Sequence, residues 1–193
     1  SIFIAFATVN DPNTFFLAWT TTPWTLIANT GLAIKDDEDY VKVQLKQGDP
    51  ANDSGARGVW VARKLILAKA RLPEVLSEGS YDILETIRGS DLVGLRYQPI
   101  LEYMKPEGDA YRVVPAEFVS MDDGTGIVHI APAFGEDDFQ LSKTENLPVL
   151  LTITDAGIFL PEVTPWAGQH VKAADPSILA ALEKDGKLFR SAT

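Results

Sequence analysis

Cysteine is absent from the 193 residues, which excludes disulfide scaffolding, thiolate catalysis and cysteine-ligated zinc. Histidine is almost as scarce. His129 and His170 are the only two, without the HExxH spacing, so no metal site is expected. No run of about 18 apolar residues occurs, which argues against a transmembrane helix. The apolar start SIFIAFATVNDP has no basic leader and is too short for a signal peptide, so the cytoplasm is the expected compartment. The nucleophile elbow G-x-S-x-G and the dinucleotide fingerprint G-x-G-x-x-G are missing, and Gly124-Thr125-Gly126 lacks the Lys-Ser/Thr of a phosphate loop. Positive charge is also in short supply: 17 Lys and Arg stand against 27 Asp and Glu, for a net charge of −10. So acidic a chain is a poor candidate for wrapping duplex nucleic acid, where many phosphates must be neutralised. A short single-stranded end, held by stacking and a few hydrogen bonds, is still within reach.

What is present is an ordinary globular balance, 46% hydrophobic and 23% charged, enough for one sizeable core. No repeat, low-complexity tract or linker divides the chain, so residues 1–193 are expected to form a single domain. Ile2–Ala7 and Thr14–Trp19 read as a strand hairpin around Asn10-Asp11-Pro12-Asn13. Thr22-Pro23 reads as a helix cap followed by proline at the first helical position, with a short helix Trp24–Ala28 stopped at Asn29-Thr30-Gly31. Leu32–Ile34, Tyr40–Gln47, Val59–Val61, Ile83–Ile87, Leu92–Leu95, Tyr111–Val114, Glu117–Ser120, Val149–Ile153 and Lys187–Arg190 read as further strands. Gly48–Gly58 reads as a surface loop. Ala62–Ala70 is apolar at helical spacing and Pro73–Ser77 reads as a short helix. Asp175-Pro176 opens a last helix, Ser177–Lys184. The basic cluster Arg57, Arg63, Lys64, Lys69 and Arg71 reads as a solvated helix face. Many short strands with few helices predict a mainly β fold, a β-barrel core with peripheral helices.

One stretch concentrates chemistry: Asp122–Phe139, DDGTGIVHIAPAFGEDDF. A turn at Asp122-Asp123-Gly124 leads to a strand Ile127–Ile130 carrying His129. Pro132 ends the strand, and Glu136, Asp137 and Asp138 suit the first turn of a helix running toward Asn146. A lone histidine on a strand is ordinarily a packing residue, and acids at a helix start ordinarily serve the helix. Together with the hydroxyls of Thr20, Thr21 and Thr22 and the indole of Trp24, however, they suit a pocket that binds a small cation and orients a water. They supply no obvious strong base.

Two blocks carry a family resemblance. Thr20-Thr21-Thr22-Pro23-Trp24-Thr25 followed by Asn29, and Gly124-Thr125-Gly126 through Asp138-Phe139, resemble the editing domain inserted into isoleucyl-tRNA synthetases. Valyl and leucyl relatives typically carry Arg-Pro-Glu or Arg-Pro-Asp where this chain has Thr22-Pro23-Trp24, and valyl relatives carry Lys at the place of His129. The HIGH and KMSKS signatures of the synthetic core are absent, so the chain is expected to be the insert without that core and to carry out no aminoacylation itself.

The resemblance implies the Val/Ile/Leu-type editing-domain barrel and a deacylase that hydrolyses mischarged Val-tRNA(Ile) with a positioned water, excluding isoleucine by size. It implies that Asp138 receives the α-ammonium and that Thr20, Thr21 and Thr22 line the site near the ester. Trp24 and His129 become walls against the amino-acid side chain, and Phe134 packs near the terminal adenosine. No cofactor, metal or membrane is implied. The implied partners are the 3′ end of aminoacylated tRNA(Ile), its valine moiety and the rest of the synthetase. Two alternatives stay open: a tRNA 3′-end binding module without catalysis, and an editing domain of a valyl or leucyl system.

Overall fold

The computed structural model describes residues 1–46 and 60–191. Its strands are β1 Ile2–Ala7, β2 Thr14–Thr20, β3 Gly31–Ile34, β4 Asp39–Leu45, β5 Lys64–Ala68, β6 Tyr81–Arg88, β7 Arg112–Pro115, β8 Ile127–Ile130 and β9 Leu188–Ser191. The helices are α1 Leu72–Val75, α2 Gly89–Leu92, α3 Glu136–Glu145 and α4 Val171–Lys184, with 3₁₀ turns at Pro23–Ala28 and Lys69–Arg71. The strands form one mixed sheet in the order β6-β4-β5-β2-β8-β3-β7, with β1 on β2 and β9 on β1. The sheet curls into a half-barrel. Among the described residues β6 pairs with β4 alone, and the outer edge of β7 meets no strand but only the 94–96 segment, through the Arg96–Arg112 bridge, so the mainly β core with peripheral helices is an open barrel.

Strand β1 explains why the chain begins with an unbroken apolar run. Ile2, Ile4 and Phe6 enter one core cluster with Phe16, Tyr97, Ile178 and Leu182. The intervening Phe3 and Ala5 enter a second cluster with Leu17, Val41, Leu65 and Phe189. A strand covered on both faces loses the apolar/polar alternation of a half-exposed one. The same reason overturns the expected helix at Ala62–Ala70. Lys64–Ala68 is a strand between β2 and β4, with Leu65 and Leu67 in one cluster and Ile66 and Ala68 in the other. A short apolar run cannot be assigned from periodicity alone.

Other expectations are corrected too. Trp60 and Val61 lie in a bend and turn, while Val59, Gln47, Arg57 and the Gly48–Gly58 loop fall outside the described residues. The Leu92–Leu95 segment closes α2 instead of forming a strand, and Glu117–Ser120 is irregular. Val149–Ile153 contributes only a bridge from Ile153 to Phe159. Helix α4 starts at Val171 rather than after Asp175-Pro176, because His170 caps it by accepting from the Lys172 amide at 3.3 Å. Pro176 is carried inside this helix. Of the described residues in the basic cluster, Arg63 and Lys64 lie outside any helix, and Lys69 and Arg71 lie in a 3₁₀ turn. Arg63 stacks on Phe15 and Trp60, Lys64 pairs with Asp11 at 3.2 Å, and Arg71 holds the 122–124 turn.

The feature that positions the site is a change of partner along β2. One edge of β2 pairs with β1 throughout. On the other edge Thr14–Phe16 pair with β5, whereas Trp19 pairs with Val128 of β8. Strand β5 ends where β8 begins, and the Ala68 amide donates to the Thr125 carbonyl at 2.8 Å. Gly126 occupies this junction with φ +74°, and a Cβ there would lie 2.3 Å from the Ala68 Cβ. Only glycine meets both demands. From β4, the buried Tyr40 hydroxyl donates to the Gly126 carbonyl at 2.6 Å and accepts from the Lys35 amide at 2.9 Å.

Candidate functional site

The threonine block leaves β2 at this junction. The Thr20 hydroxyl accepts from the Thr22 amide at 3.1 Å, and the Thr21 and Thr22 hydroxyls approach to 3.5 Å. Thr22 does not cap the following turn with its side chain, contrary to expectation. Across the fold the Asp175 carboxylate of α4 faces the Trp24 amide, but its Oδ1 has no hydrogen-bond partner among the described residues. Burial raises the Asp175 pKa, while Lys172 and the Trp24 amide oppose the rise. The Thr22 hydroxyl is therefore not consumed by capping. Proline at the first turn position needs no amide partner, and the turn is 3₁₀ rather than α.

His129 is buried in the middle of β8 and is bonded at both nitrogens. Nε2 meets Thr25 Oγ1 at 2.9 Å and Nδ1 meets Asn29 Nδ2 at 2.8 Å. Asn29 Nδ2 also donates to the Gly31 carbonyl at 2.9 Å, and its Oδ1 accepts from the Tyr97 hydroxyl at 2.5 Å. An amide nitrogen only donates, so Nδ1 is the acceptor and Nε2 carries the proton. Nε2–H then donates to Thr25 Oγ1, which donates to the Thr22 carbonyl at 2.9 Å. Burial depresses the His129 pKa to about 4, so the ring is neutral at physiological pH. It is neither a cation nor an available base.

Asp138 is the third residue of α3, half-buried at the helix start. Its Oδ2 accepts from the Ala131 amide at 2.9 Å. Gly135 gives it room, since a Cβ there would stand 3.0 Å from the carboxylate. Desolvation raises its pKa, opposed by hydrogen bonds from the amides of Ala131 and of Asp138 itself. Among the described residues no ion pair includes Asp138. A half-buried carboxylate without a cation is suited to receive one from a ligand. Asp137 beside it is exposed.

Two concavities lie along this segment. The first, about 320 Å³, is lined by Thr20, Thr21, Ser120, Asp123, the Gly124–Val128 strand entry and His129. The second, about 540 Å³, is an apolar groove of Pro132, Phe134, Phe139, Val149 and Leu151 with Glu136 on its rim. Of the residues singled out in the sequence, Thr20, Thr21 and His129 share the first cavity and Phe134 lines the second. Thr22 adjoins Thr21 through its hydroxyl. Trp24 lines neither; its ring packs edge-on to Phe134 at 4.9 Å between centroids. Asp138 lines neither, but its bond to Ala131 anchors it to the chain between them. No group of three or more metal-ligating side chains occurs among the described residues.

Several site-supporting residues were not singled out in the sequence. Tyr97 acts on Asn29 across 68 residues of chain and carries no local pattern, and Thr25, noted only within the threonine block, meets His129 across 104. Asn29 was read chiefly as a helix stop, yet its amide is the hub of the His129 network. Arg71 donates to the carbonyls of Gly124 at 3.1 Å and Asp122 at 3.0 Å, fixing the turn that borders the cavity.

No family model matches the chain. Over 189 residues, 98% of its length, it is 41% identical to the isoleucine–tRNA ligase of Clostridium acetobutylicum. Over its whole length it is 40% identical to that of Bdellovibrio bacteriovorus. The chain spans 17% of the length of each of these curated relatives. Among solved structures it superposes on GlLeuRS-CP1 with a TM-score of 0.76 at 17% identity, covering 100% of this chain and 99% of that one. The cytosolic leucyl-tRNA synthetase editing domain of P. knowlesi gives 0.69 at 16% identity, covering 97% and 94%. At these identities the structural likeness speaks for the fold; the specific sequence likeness is isoleucyl.

Proposed function

We propose, for a chain that belongs to the isoleucyl-tRNA synthetase family as its editing-domain segment, that it hydrolyses the ester of mischarged Val-tRNA(Ile). A water oxygen adds to the ester carbonyl carbon and the bond to the ribose oxygen breaks. The ribose oxygen takes up a proton from the water, leaving free valine and uncharged tRNA. Asp138 receives the α-ammonium, and the hydroxyls of Thr20, Thr21 and Thr22 hold the ester and the water. The observation that carries this reading is Asp138 itself: a half-buried carboxyl without a protein cation, one strand-end away from a threonine-lined cavity.

The reading assigns no protein base. His129 is held neutral with a pKa near 4 and both nitrogens engaged, so deprotonation of water falls to the assembled hydroxyls, including one of the terminal ribose. Positioning and preorganised hydrogen bonds then supply the rate.

Size selection follows from the limits of affinity. One methylene is worth about 1–3 kcal/mol in a pocket, isoleucine against valine being the standard illustration of that limit. A second, smaller site excludes isoleucine by overlap. His129 and Trp24 serve as the walls, and Phe134 packs near the terminal adenosine. His129 lines the threonine cavity, which supports its role. Trp24 acts from behind, wedged against Phe134.

The test is release of amino acid from Val-tRNA(Ile), Ile-tRNA(Ile) and Thr-tRNA by this chain in sub-stoichiometric amount. Steady release of valine, with isoleucine retained, is the expected result. Binding without turnover would leave a 3′-end binding module, and preference for the threonyl ester would point to a valyl-type system.

A further inference from the structure

We infer that Tyr97 is a positioning residue for specificity: acting through Asn29, it holds the His129 ring in the Nε2–H tautomer, so that only ring carbons are left to form the cavity wall. This rests on the reading of His129 as a wall against the substrate side chain.

The argument starts from the direction of the hydrogens. Tyr97 is buried and lies in an irregular stretch between α2 and β7. Its ring is clamped edge-on by Phe6 at 5.3 Å and Tyr111 at 6.0 Å, and its backbone amide donates to the Tyr111 carbonyl at 3.1 Å. The hydroxyl thus has little freedom to leave Asn29 Oδ1, 2.5 Å away. Burial raises its pKa well above the ordinary phenol value, so it remains a donor at any working pH.

An asparagine amide can be placed either way round. Here a donor at one end and the Gly31 carbonyl at the other select one orientation: Oδ1 toward Tyr97, and Nδ2 toward Gly31 and His129. That orientation requires a lone pair on His129 Nδ1. The single proton of the neutral ring must then sit on Nε2 and point at Thr25 Oγ1, whose own proton points at the Thr22 carbonyl. The chain Tyr97, Asn29, His129, Thr25, Thr22 is therefore a one-way series of donors, ending in the threonine block. A buried network in which every member is satisfied is rigid. With both nitrogens engaged, the ring offers substrate neither a donor nor an acceptor, and it is fixed against tilting.

Removing the Tyr97 hydroxyl leaves Asn29 Oδ1 without a partner and lets the amide turn, which favours Nδ1–H and loosens the ring. The wall should then admit a larger side chain.

The experiment is ¹⁵N NMR of His129 in the 193-residue chain, wild type and Tyr97→Phe, with deacylation of valyl and isoleucyl tRNA(Ile) measured on the same samples. The chain has two histidines, and exposed His170 is readily told from buried His129. Wild type should show a single Nε2–H form through neutral pH. In Tyr97→Phe the ratio of Nε2–H to Nδ1–H should fall by about threefold to tenfold, the size of one neutral hydrogen bond. The Ile/Val rate ratio should rise by about threefold or more.

Asn29→Asp is the second variant and carries the test if Tyr97→Phe does not fold. A carboxylate cannot donate to Nδ1, so His129 should switch to Nδ1–H. An unchanged Nε2–H form in the folded variants overturns the inference, and so does a shifted tautomer with an unchanged Ile/Val ratio. Absence of valyl-ester hydrolysis by wild type defeats the proposed function and the specificity half of this inference together. The tautomer measurement still decides whether Tyr97 sets the state of His129.

Discussion

Replacing Asp138 with asparagine separates the charge of this residue from its structural bond. The Ala131 amide donates to Oδ2 at 2.9 Å, and an asparagine Oδ1 can accept the same bond, so the strand end and helix start should stay in place. What disappears is the negative charge. A charge-assisted hydrogen bond to a substrate ammonium contributes about 1.5–3 kcal/mol, which corresponds to a ~10- to 150-fold loss in the rate of Val-tRNA(Ile) hydrolysis.

Stability should move the other way or not at all. Burial raises the folded-state pKa from the usual 3.8. The contribution of Asp138 to folding is therefore full below the unfolded value and is lost as pH climbs through the raised folded value. Burial disfavours the ionised form, so the neutral amide is no worse for the fold. The same shift predicts that hydrolysis falls on acidification at a higher pH than an ordinary carboxylate would give, and that Asp138→Asn removes that limb. The assay is single-turnover deacylation between acid and neutral pH, with denaturant unfolding as the control. A folded Asp138→Asn protein with the wild-type rate would refute the assignment. Asp137→Asn should be nearly silent, because its side chain is exposed.

Gly126→Ala should lower the denaturant midpoint markedly. A left-handed φ of +74° costs a non-glycine residue about 1–2 kcal/mol and a Cβ 2.3 Å from Ala68 adds overpacking of about 1–3 kcal/mol; an unchanged midpoint would refute the junction geometry. Asp175→Ala removes the carboxylate that faces the Trp24 amide and should slow valyl-ester hydrolysis by loosening that turn; an unaffected rate would separate that turn from the site. His129→Ala should hydrolyse Ile-tRNA(Ile) measurably where wild type hardly does, and an unchanged Ile/Val ratio in the folded variant would remove His129 from the wall. Because the folded His129 pKa is depressed from 6.5 to about 4, its contribution is present above 6.5 and is lost progressively as pH falls toward 4. Stability measured across that window should decline in wild type and lose this component in the variant. Binding of intact tRNA by the isolated chain should be weak, given the net charge of −10; tight binding with a steep salt slope would contradict a recognition confined to the 3′ end.

The amino-acid sequence by itself determined the elements whose signal is local. Strands β1, β2, β3, β4, β6, β7, β8 and β9 were legible from apolar runs and alternation, and α3 from its acidic first turn and Asn146. So were the threonine block and the Gly124–Asp138 stretch, which carry the family likeness. Tertiary structure decided the rest, wherever the same residues satisfied two local descriptions. Leu65–Ala68 suits a helix or a strand equally well until β2 and β4 are found on either side of it. Pro176 suits a helix start until His170 is seen to cap six residues earlier. Thr22 looks like a cap, yet its hydroxyl makes no capping bond and instead approaches Thr21 at 3.5 Å. The site shows the same division. The residue types Asp138, His129 and Thr20–Thr22 were visible in the sequence. What they do depends on their partners: the Ala131 amide anchors Asp138, while Asn29 and Thr25 take the two nitrogens of His129 and Tyr97 fixes Asn29. Hydrogen-bond direction and desolvation are properties of the assembled interior, and no periodicity encodes them.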